Sequence, residues 1–346
     1  MTCLKQFKYS LILTTCLTVP LFASHHTPIE EIEHHNVVKP KHAFGLLPST
    51  PHMKELLRTV NDIHDERREQ GKKALSPLQL HAKVPTSSDM TPYAVIVDQG
   101  ELGSCTSNSS AQCVRVIKTL ELLKVEHALS VSAIKAQVQT LSRLYHYYYE
   151  RKHMSDSSHN YINQDSGASI ADAVWVLHNY GAPDEGDWKY DISKFTQHPP
   201  VIADAHAKYN KDASNIGTEE IKPGDINTVK LSLSQGYPVL MGFTVYDSFE
   251  SDVVANTGYV PMPNTNKEEI LGGHAVAILG HDDHDTTGGY SGHFWVANSW
   301  GTEWGVALHG QRGFFKVPYE FIANTDLTSE LWRVANASLS DISIKK

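Results

Sequence analysis

The chain has 346 residues, of which 40% are hydrophobic and 20% are charged, a composition typical of a globular protein with a large core. Its formal net charge of −9 argues against a nucleic-acid partner, because a phosphate-binding surface needs an excess of basic residues. The length leaves room for one large domain or two modest ones.

The first 24 residues differ from the rest of the chain. Lys5 and Lys8 precede an apolar run that ends at Phe22, and two small residues follow it. This order is typical of a secretory signal, and the run is too short for a membrane-spanning helix. We therefore predict a signal peptide over residues 1–24, a secreted or periplasmic protein, and no membrane span in the mature form. A lipoprotein signal ending at Cys16 is the alternative.

Residues 25–84 form a polar, proline-punctuated and histidine-rich extension. Within it, residues 53–69 carry apolar side chains at helical spacing, which predicts one amphipathic helix. Such an extension is either a propeptide or a packed addition to the domain that follows. The paired histidines are more typical of a solvated tail than of a metal site.

Two cysteines, Cys105 and Cys113, remain after removal of a signal peptide. A helix rises ~1.5 Å per residue, so eight residues separate them by roughly 12 Å, too far for a disulfide. Cys113 is in register with apolar neighbours and is interpreted as a buried hydrophobic residue. Cys105 follows a Gly-Ser turn at the start of a predicted helix, where the helix dipole favours a reactive thiolate.

The spacing of apolar residues predicts helices in the first part of the core and strands in the second. The predicted helices are 102–123, 132–151, one capped by Ser169 with Asp172 as the capping-box acid and ended by Gly181, and 225–235. The predicted strands are 238–246, 273–281, 293–298 and 313–317. This order predicts an α+β domain over residues 85–335, with a cleft between a helical and a sheet half, and a tail at 336–346.

The predicted hairpin of strands 273–281 and 293–298 selects one histidine as a partner for the thiol. Its loop centres on residue 287, and His274 and Asn298 centre on residue 286, so the hairpin places them approximately opposite each other. An asparagine amide there can accept the imidazole N–H and fix the orientation of the ring. A register slip of one residue would turn Asn298 to the other face.

Two further residues complete the candidate constellation. The side-chain amide of Gln99 and the backbone N–H of Cys105 can converge on the oxygen of a tetrahedral intermediate. The indole of Trp300, two residues after Asn298, can exclude water from the His–Asn hydrogen bond, although a core aromatic is the plainer interpretation.

The ordered motifs around Gln99, Gly103-Ser104-Cys105, Gly273-His274-Ala275 and Asn298-Ser299-Trp300-Gly301 resemble the papain-like cysteine peptidase family, in a bacterial branch with the pattern DQGxLGSCT. The resemblance covers roughly residues 85–321. It implies that Cys105 is the nucleophile, His274 the general acid and base, Asn298 the orienting group and Gln99 the oxyanion donor. It also implies a papain-like fold, in which a helical left half packs on a β-sheet or barrel right half. Gly167 resembles the glycine that pairs with the substrate backbone, and Trp300 is assigned to substrate binding beside it.

The sequence departs from the papain pattern at several places. Leu102 stands where the first cysteine of a C-G-S-C-W run would be, Thr106 replaces the aromatic residue, and His274 follows Cys105 by 169 residues. Together with the insertion at 184–223, these departures leave the shape of the substrate subsites open.

The sequence therefore predicts an exported cysteine endopeptidase that acts on a protein or peptide substrate, as a monomer and without a cofactor. A cysteine amidase or transpeptidase acting on cell-wall or isopeptide bonds is an alternative, and so is a catalytically inactive papain-like binding protein. The acidic loop at 281–285 is interpreted as solvated, with an ion site as the alternative.

Overall fold

The computed structural model describes residues 41–57, 62, 65, 66, 69, 83–214 and 216–336. The predicted signal peptide lies outside these residues, as does the tail beyond residue 336. No helix within the described ranges is both long and apolar enough to cross a membrane.

Helices dominate the chain up to residue 234, and short ones recur later. In chain order they are α1 (Pro51–Glu55), α2 (Cys105–Val125), α3 (Val131–Gln137), α4 (Arg143–Met154), α5 (Ile170–Asn179), α6 (Val201–Ser214), α7 (Ile226–Ser234), α8 (Asp252–Thr257) and α9 (Tyr319–Ala323). Single 3₁₀ turns lie at Thr91–Tyr93, Ile192–Lys194, Asp247–Glu250 and Thr287–Gly289.

Most strands join one antiparallel sheet. They are β1 (Leu46–Leu47), β2 (Ser87–Asp89), β3 (Ala168–Ser169), β4 (Ile216–Ile221), β5 (Val239–Tyr246), β6 (Ile270–Asp282), β7 (His293–Ala297), β8 (Val306–Leu308), β9 (Gln311–Pro318) and β10 (Thr328–Asn336). The order in the sheet is β4-β10-β5-β6-β7-β9-β8, with β2 paired to the end of β6, while β1 and β3 form a separate parallel pair. Over the described residues the sheet stays open, so the right half of the domain is an antiparallel sheet and not a closed barrel.

The predicted α+β class is confirmed, and so are several local predictions. Ser169 caps α5 in a reciprocal capping box with Asp172. The predicted strand 238–246 is β5, and the predicted hairpin is β6 with β7. These elements have strong local signals, either a cap with its partner three residues on or a short apolar run bounded by turn residues.

The single helix predicted over 132–151 is wrong, because the chain leaves helical geometry between α3 and α4. Arg115 of α2 donates to the backbone oxygens of Lys135 and Val138 and to the hydroxyl of Thr140. Ser142 then restarts the helix as its N-cap, accepting from the N–H of Tyr145. Tertiary hydrogen bonds therefore outweigh an apolar spacing that continues across the break.

Several elements had no sequence prediction. Helix α6 and strand β4 both lie in the segment 184–223, which was interpreted as an insertion, and β10 inserts between β4 and β5. The helix predicted over 53–69 also differs, since α1 ends at Glu55 and a turn follows; residues 62, 65, 66 and 69 are helical, and most others there lie outside the described residues.

Helix α2 positions the site, because it runs through the core between the helical half and the sheet. It is buried from Cys105 to Ile117 and packs against β6, the strand that carries His274. The start of α2 therefore lies beside the middle of the sheet.

Candidate active site

Cys105 is the first residue of α2 and is completely buried. Burial raises the pKa of its thiol to about 11, although the backbone N–H groups of Ala275, Gly45 and Thr106 act in the opposite direction. The contact with Ala275 places the sulfur beside the residue that follows His274. Cys113 is also free and buried, and burial alone raises its pKa.

His274 and Asn298 meet as the hairpin predicts, with 2.8 Å between His274 Nε2 and Asn298 Oδ1. The strand register pairs Ala277 with Ala297, so Asn298 falls opposite position 276, two residues from His274 and on the same face. Burial lowers the pKa of His274 to about 4, against the effect of the Asn298 hydrogen bond. The other ring nitrogen, Nδ1, has no hydrogen-bond partner among the described residues and remains for the thiol.

Gln99 is buried, and its amide is fixed at both ends. Its Oε1 accepts a 2.5 Å hydrogen bond from Ser299 Oγ, so that its Nε2 points the other way and donates to the carbonyls of Leu102 and Ala43. The backbone N–H of Gln99 also donates to the carbonyl of Ser299. Sequence analysis did not identify Ser299 as an orienting residue, because the pair is 200 positions apart and leaves no local pattern.

The loop between Gln99 and Cys105 is held by side chains from the helical half. Both carboxylate oxygens of Asp165 accept from the N–H of Gly103 at 3.0 Å. The hydroxyl of Tyr190 lies 2.6 Å from Ser104 Oγ and donates to the carbonyl of Gln99 at 2.9 Å. These contacts fix the turn before the thiol from outside the motif itself.

A buried polar cluster of Thr106, Glu150 and His146 begins at the residue after Cys105. Thr106 Oγ1 donates to Glu150 Oε2 at 2.8 Å, and His146 Nδ1 lies 3.7 Å from Glu150 Oε1. Burial raises the pKa of Glu150 well above the usual carboxyl value and lowers that of His146 to about 4, so burial disfavours the charged form of each group.

Trp300 lies beside the His274 imidazole, with 5.0 Å between ring centroids and 27° between ring planes. Edge contacts with Trp304 and Phe249 hold the indole from behind, at 5.1 and 5.4 Å. The ring therefore forms a wall beside the His–Asn hydrogen bond.

Residues 41–47 lie across the site. The N–H of Gly45 contacts the Cys105 sulfur, and the carbonyl of Gly45 accepts from the N–H of Ala168 at 2.8 Å. Leu46 and Leu47 then pair in parallel with β3, while the carbonyl of Ala43 accepts from the Gln99 amide at 3.2 Å. The peptide backbone thus contacts the amide of Gln99, the thiol and β3 in succession.

Gly167 lies next to the pairing of residues 45–47 with β3, but its N–H does not donate to residues 41–47. Its N–H donates to Tyr147 Oη at 3.0 Å, and backbone pairing with residues 45–47 begins one residue later, at Ala168. Gly167 has a φ of 72°, and a Cβ at this position would come within 2.1 Å of the carbonyl oxygen of Gly45. Glycine is required here for backbone conformation and for close approach.

The acidic loop at 281–285 is neutralised by lysines. Asp283 accepts from Lys230 at 2.6 Å and Asp285 from Lys316 at 2.6 Å. Within the part of the chain that the structure describes, no group of three or more histidine, cysteine or acidic side chains is arranged to hold a metal ion.

Cys105 begins the central helix with its sulfur beside Ala275, and the neighbouring His274 is hydrogen-bonded to Asn298 just beyond the end of β7. This arrangement is typical of a class of thiol enzymes. The family model for papain family cysteine protease matches residues 84–330. The chain therefore belongs to the papain family and is a cysteine peptidase.

Individual relatives agree with this assignment. The chain is 33% identical over 307 residues to an uncharacterized peptidase C1-like protein of Acanthamoeba polyphaga mimivirus, covering 84% of this chain and 85% of that protein. It is similar to the crystal structure of xylellain, a cysteine protease from Xylella fastidiosa, with a TM-score of 0.62 and 27% identity, covering 86% of this chain and 97% of that one. Procathepsin B S9 from Trypanosoma congolense shares the fold, with a TM-score of 0.53 and 16% identity over 85% of this chain and 86% of its own.

Proposed function

We propose that this chain is an exported cysteine endopeptidase that hydrolyses peptide bonds through Cys105, His274, Asn298 and Gln99. Cys105 attacks the scissile carbonyl, and His274 exchanges protons with the reacting groups. Asn298 fixes the plane of the imidazole, and Gln99 stabilises the oxyanion together with the backbone N–H of Cys105.

The reaction divides into two transfers. The Cys105 sulfur bonds to the carbonyl carbon, and the C–N bond breaks as His274 gives its proton to the departing amine. Water then attacks the thioester, losing a proton to His274, and the Cys105 sulfur departs as the acid product forms. The first transfer leaves His274 without a proton, so it can accept one from water, and the second leaves it protonated again.

One observation carries this proposal: a polypeptide already contacts the proposed groups. The Ala43 carbonyl accepts from the Gln99 amide, and the Gly45 N–H meets the Cys105 sulfur. The ring of Phe44, between them, lies 5.9 Å from that of His274. These contacts support a site that binds extended peptide backbone.

We propose further that residues 41–47 inhibit the enzyme. They bury Cys105 and His274, whose pKa values of about 11 and about 4 keep both groups uncharged near pH 7. A thiolate–imidazolium pair forms when this cover leaves and water returns to the site.

The direction of the segment explains how it remains uncleaved. The leaving amine must receive its proton from His274, which lies against Trp300, so a substrate places the residues after its scissile bond on the Trp300 side. Residues 41–47 run the other way, from Trp300 to Ala168. Their carbonyl groups are therefore not presented in the reactive order.

The export part of the proposal rests on residues 1–24. Mass spectrometry of the secreted or periplasmic species, with its N-terminus defined, tests it. A mature chain that begins near residue 24 is expected, and an intact protein retained in the cytoplasm would contradict export.

Hydrolysis itself is tested with a peptide substrate in ¹⁸O-labelled water and a reductant. We expect new carboxyl termini that carry one ¹⁸O atom, because water resolves the thioester. The Cys105→Ala variant is the control and should form none. Products joined to a second amine, without ¹⁸O, would indicate a transpeptidase instead.

A further inference from the structure

Glu250 presents a buried carboxylate to the cleft on the Trp300 side of the thiol. The residue is 6% exposed and lies at the end of the 3₁₀ turn that follows β5. Its Oε2 accepts from the backbone N–H of Lys41 at 2.7 Å. Its Oε1 accepts from the N–H of His42 at 2.9 Å and lies 2.9 Å from Nδ1 of the same histidine.

The same end of the cleft offers an aromatic face to the basic side chain. The imidazole of His42 stacks on Trp300, with 3.9 Å between centroids and 3° between planes. The Lys41 ammonium donates to the carbonyl of Glu250 and to Asp252 Oδ1, each at 3.1 Å. Two consecutive basic residues are therefore bound by two carboxylates and an indole.

The donors to the Glu250 carboxylate all belong to the inhibitory segment. Over the described residues, every hydrogen bond to this group comes from Lys41 or His42. When residues 41–47 leave, the carboxylate loses these partners, and a partly buried charge without partners is costly. A substrate with a cationic side chain at this position again gives the Glu250 carboxylate a partner of opposite charge.

We propose that Glu250 and Trp300 form a subsite that selects a basic side chain just beyond the scissile bond. This inference rests on the proposed function, which places the leaving half of the substrate along Trp300. A lysine, arginine or histidine there pairs with the Glu250 carboxylate and lies against the indole face.

The contacts of residues 41–47 indicate which substrate residue enters this subsite. The carbonyl of Ala43 accepts from the Gln99 amide, and His42, one residue away, occupies the space between Trp300 and Glu250. The selected side chain is therefore that of the first or second residue after the scissile bond.

The test uses two sets of peptides with one acyl half and a varied leaving half. In each set the first or the second residue after the scissile bond is lysine, arginine, glutamine or glutamate. Active enzyme is counted by thiol titration, so that rates do not depend on how much of the protein is uncovered. For the wild-type chain, kcat/KM at one of these positions should be about tenfold higher for lysine or arginine than for glutamine, and lowest for glutamate.

Glu250→Gln should reduce this preference to about twofold or less while cleavage of the glutamine peptide continues. Glu250→Asp keeps the charge and should keep part of the preference, which separates loss of charge from damage to the fold. The matched control is Glu303→Gln, at an exposed acid in the loop that carries Trp300, and it should leave the preference unchanged.

Two outcomes overturn the inference in distinguishable ways. Equal cleavage of all the peptides, or a basic preference that survives in Glu250→Gln, contradicts the subsite alone. Failure of the wild-type enzyme to cleave any peptide, when thiol titration shows that Cys105 is uncovered, contradicts the proposed function and removes the subsite with it.

Discussion

At the scale of single residues, Asn298 reaches a histidine that is not directly opposite in the strand ladder. The sequence predicted facing positions, whereas the register offsets them by two residues, which preserves the face because strand side chains alternate with period two. The local pattern therefore predicted the pair, although the strand register differed from the one assumed.

Asn298→Ala should lower kcat/KM by about 10- to 1,000-fold, mainly through kcat, because His274 loses the partner that fixes its ring. Steady-state kinetics with a peptide substrate measure this effect. Cys105→Ala should reduce hydrolysis to background, a larger loss. An Asn298→Ala enzyme with unchanged kcat would show that the amide has no orienting role.

Hydrogen bonds between distant parts of the chain could not be predicted from the sequence. They join residues 200, 62 and 208 positions apart, in the pairs Ser299–Gln99, Asp165–Gly103 and Glu250–His42. No spacing rule relates such pairs, since only the folded topology brings them together. The proximity of His274 and Asn298 was predictable from the sequence, but the groups that hold the candidate site residues in place were not.

Glu150 gives a prediction about stability and pH. Burial raises its folded-state pKa, so the unfolded chain loses this proton at lower pH than the folded one. The free energy of unfolding should therefore fall as pH rises above the usual carboxyl pKa, with a slope approaching about 1.4 kcal/mol per pH unit from this group. Glu150→Gln should remove that slope while it keeps a hydrogen bond to Thr106.

Urea unfolding of the wild-type chain and Glu150→Gln at pH 5 and pH 7.5 measures the difference. The variant is expected to gain stability relative to the wild type at the higher pH. Parallel pH dependence of the two proteins would show that the Glu150 carboxyl is ionised in the folded state.

At the scale of elements, residues 41–47 fit against the site only because Gly45 packs against Gly103 and Gly167. A Cβ on Gly45 would lie 1.8 Å from the carbonyl oxygen of Gly103, in the turn before Cys105. The sequence left residues 25–84 as either a propeptide or a packed addition, and it did not predict that residues 41–47 enter the site, because they have no periodic pattern of their own.

Gly45→Ala should therefore displace the segment and expose the thiol. Alkylation of Cys105 in the full-length protein at pH 7, followed by mass spectrometry, should become at least about tenfold faster, since local opening controls access to a buried group. Gly186→Ala is the matched control, at an exposed glycine whose added Cβ would meet no atom within 4 Å. An unchanged alkylation rate in Gly45→Ala would contradict the inhibitory role.

At the scale of the whole molecule, the change from helical to strand periodicity along the chain was sufficient to predict the α+β class and the cleft. The strand order of the open sheet was not predictable from the sequence. The last strand in the chain, β10, lies between β4 and β5 in the sheet. Strand order depends on contacts between distant residues, which local patterns do not encode.

Acid should release the segment. Burial raises the pKa of Glu250, but hydrogen bonds from the His42 ring and the N–H groups of Lys41 and His42 lower it further, and the net pKa lies below the usual value. The covered state is thus favoured above the usual carboxyl pKa and loses this contribution as pH falls through the depressed one. The charged or titratable groups around this carboxylate are His42, Lys41, Asp252 and His274.

Hydrogen–deuterium exchange, corrected for the intrinsic effect of pH, measures this release. Protection of the amides in residues 41–47 should be high at pH 7 and fall by pH 3, and Glu250→Gln should show low protection at both. Equal protection of the wild-type segment at both values would contradict acid release.

A catalytic thiol at Cys105 can be trapped by an inhibitor that reacts covalently with it. The protein is incubated with a peptidyl epoxide at the pH where peptides are cleaved, and the adduct is located by peptide mass mapping, with Cys113 as an internal reference. We expect one adduct per chain, on Cys105, with loss of activity in proportion to labelling and no adduct in Cys105→Ala. An adduct on Cys113, or full inhibition while Cys105 remains a free thiol, would contradict it.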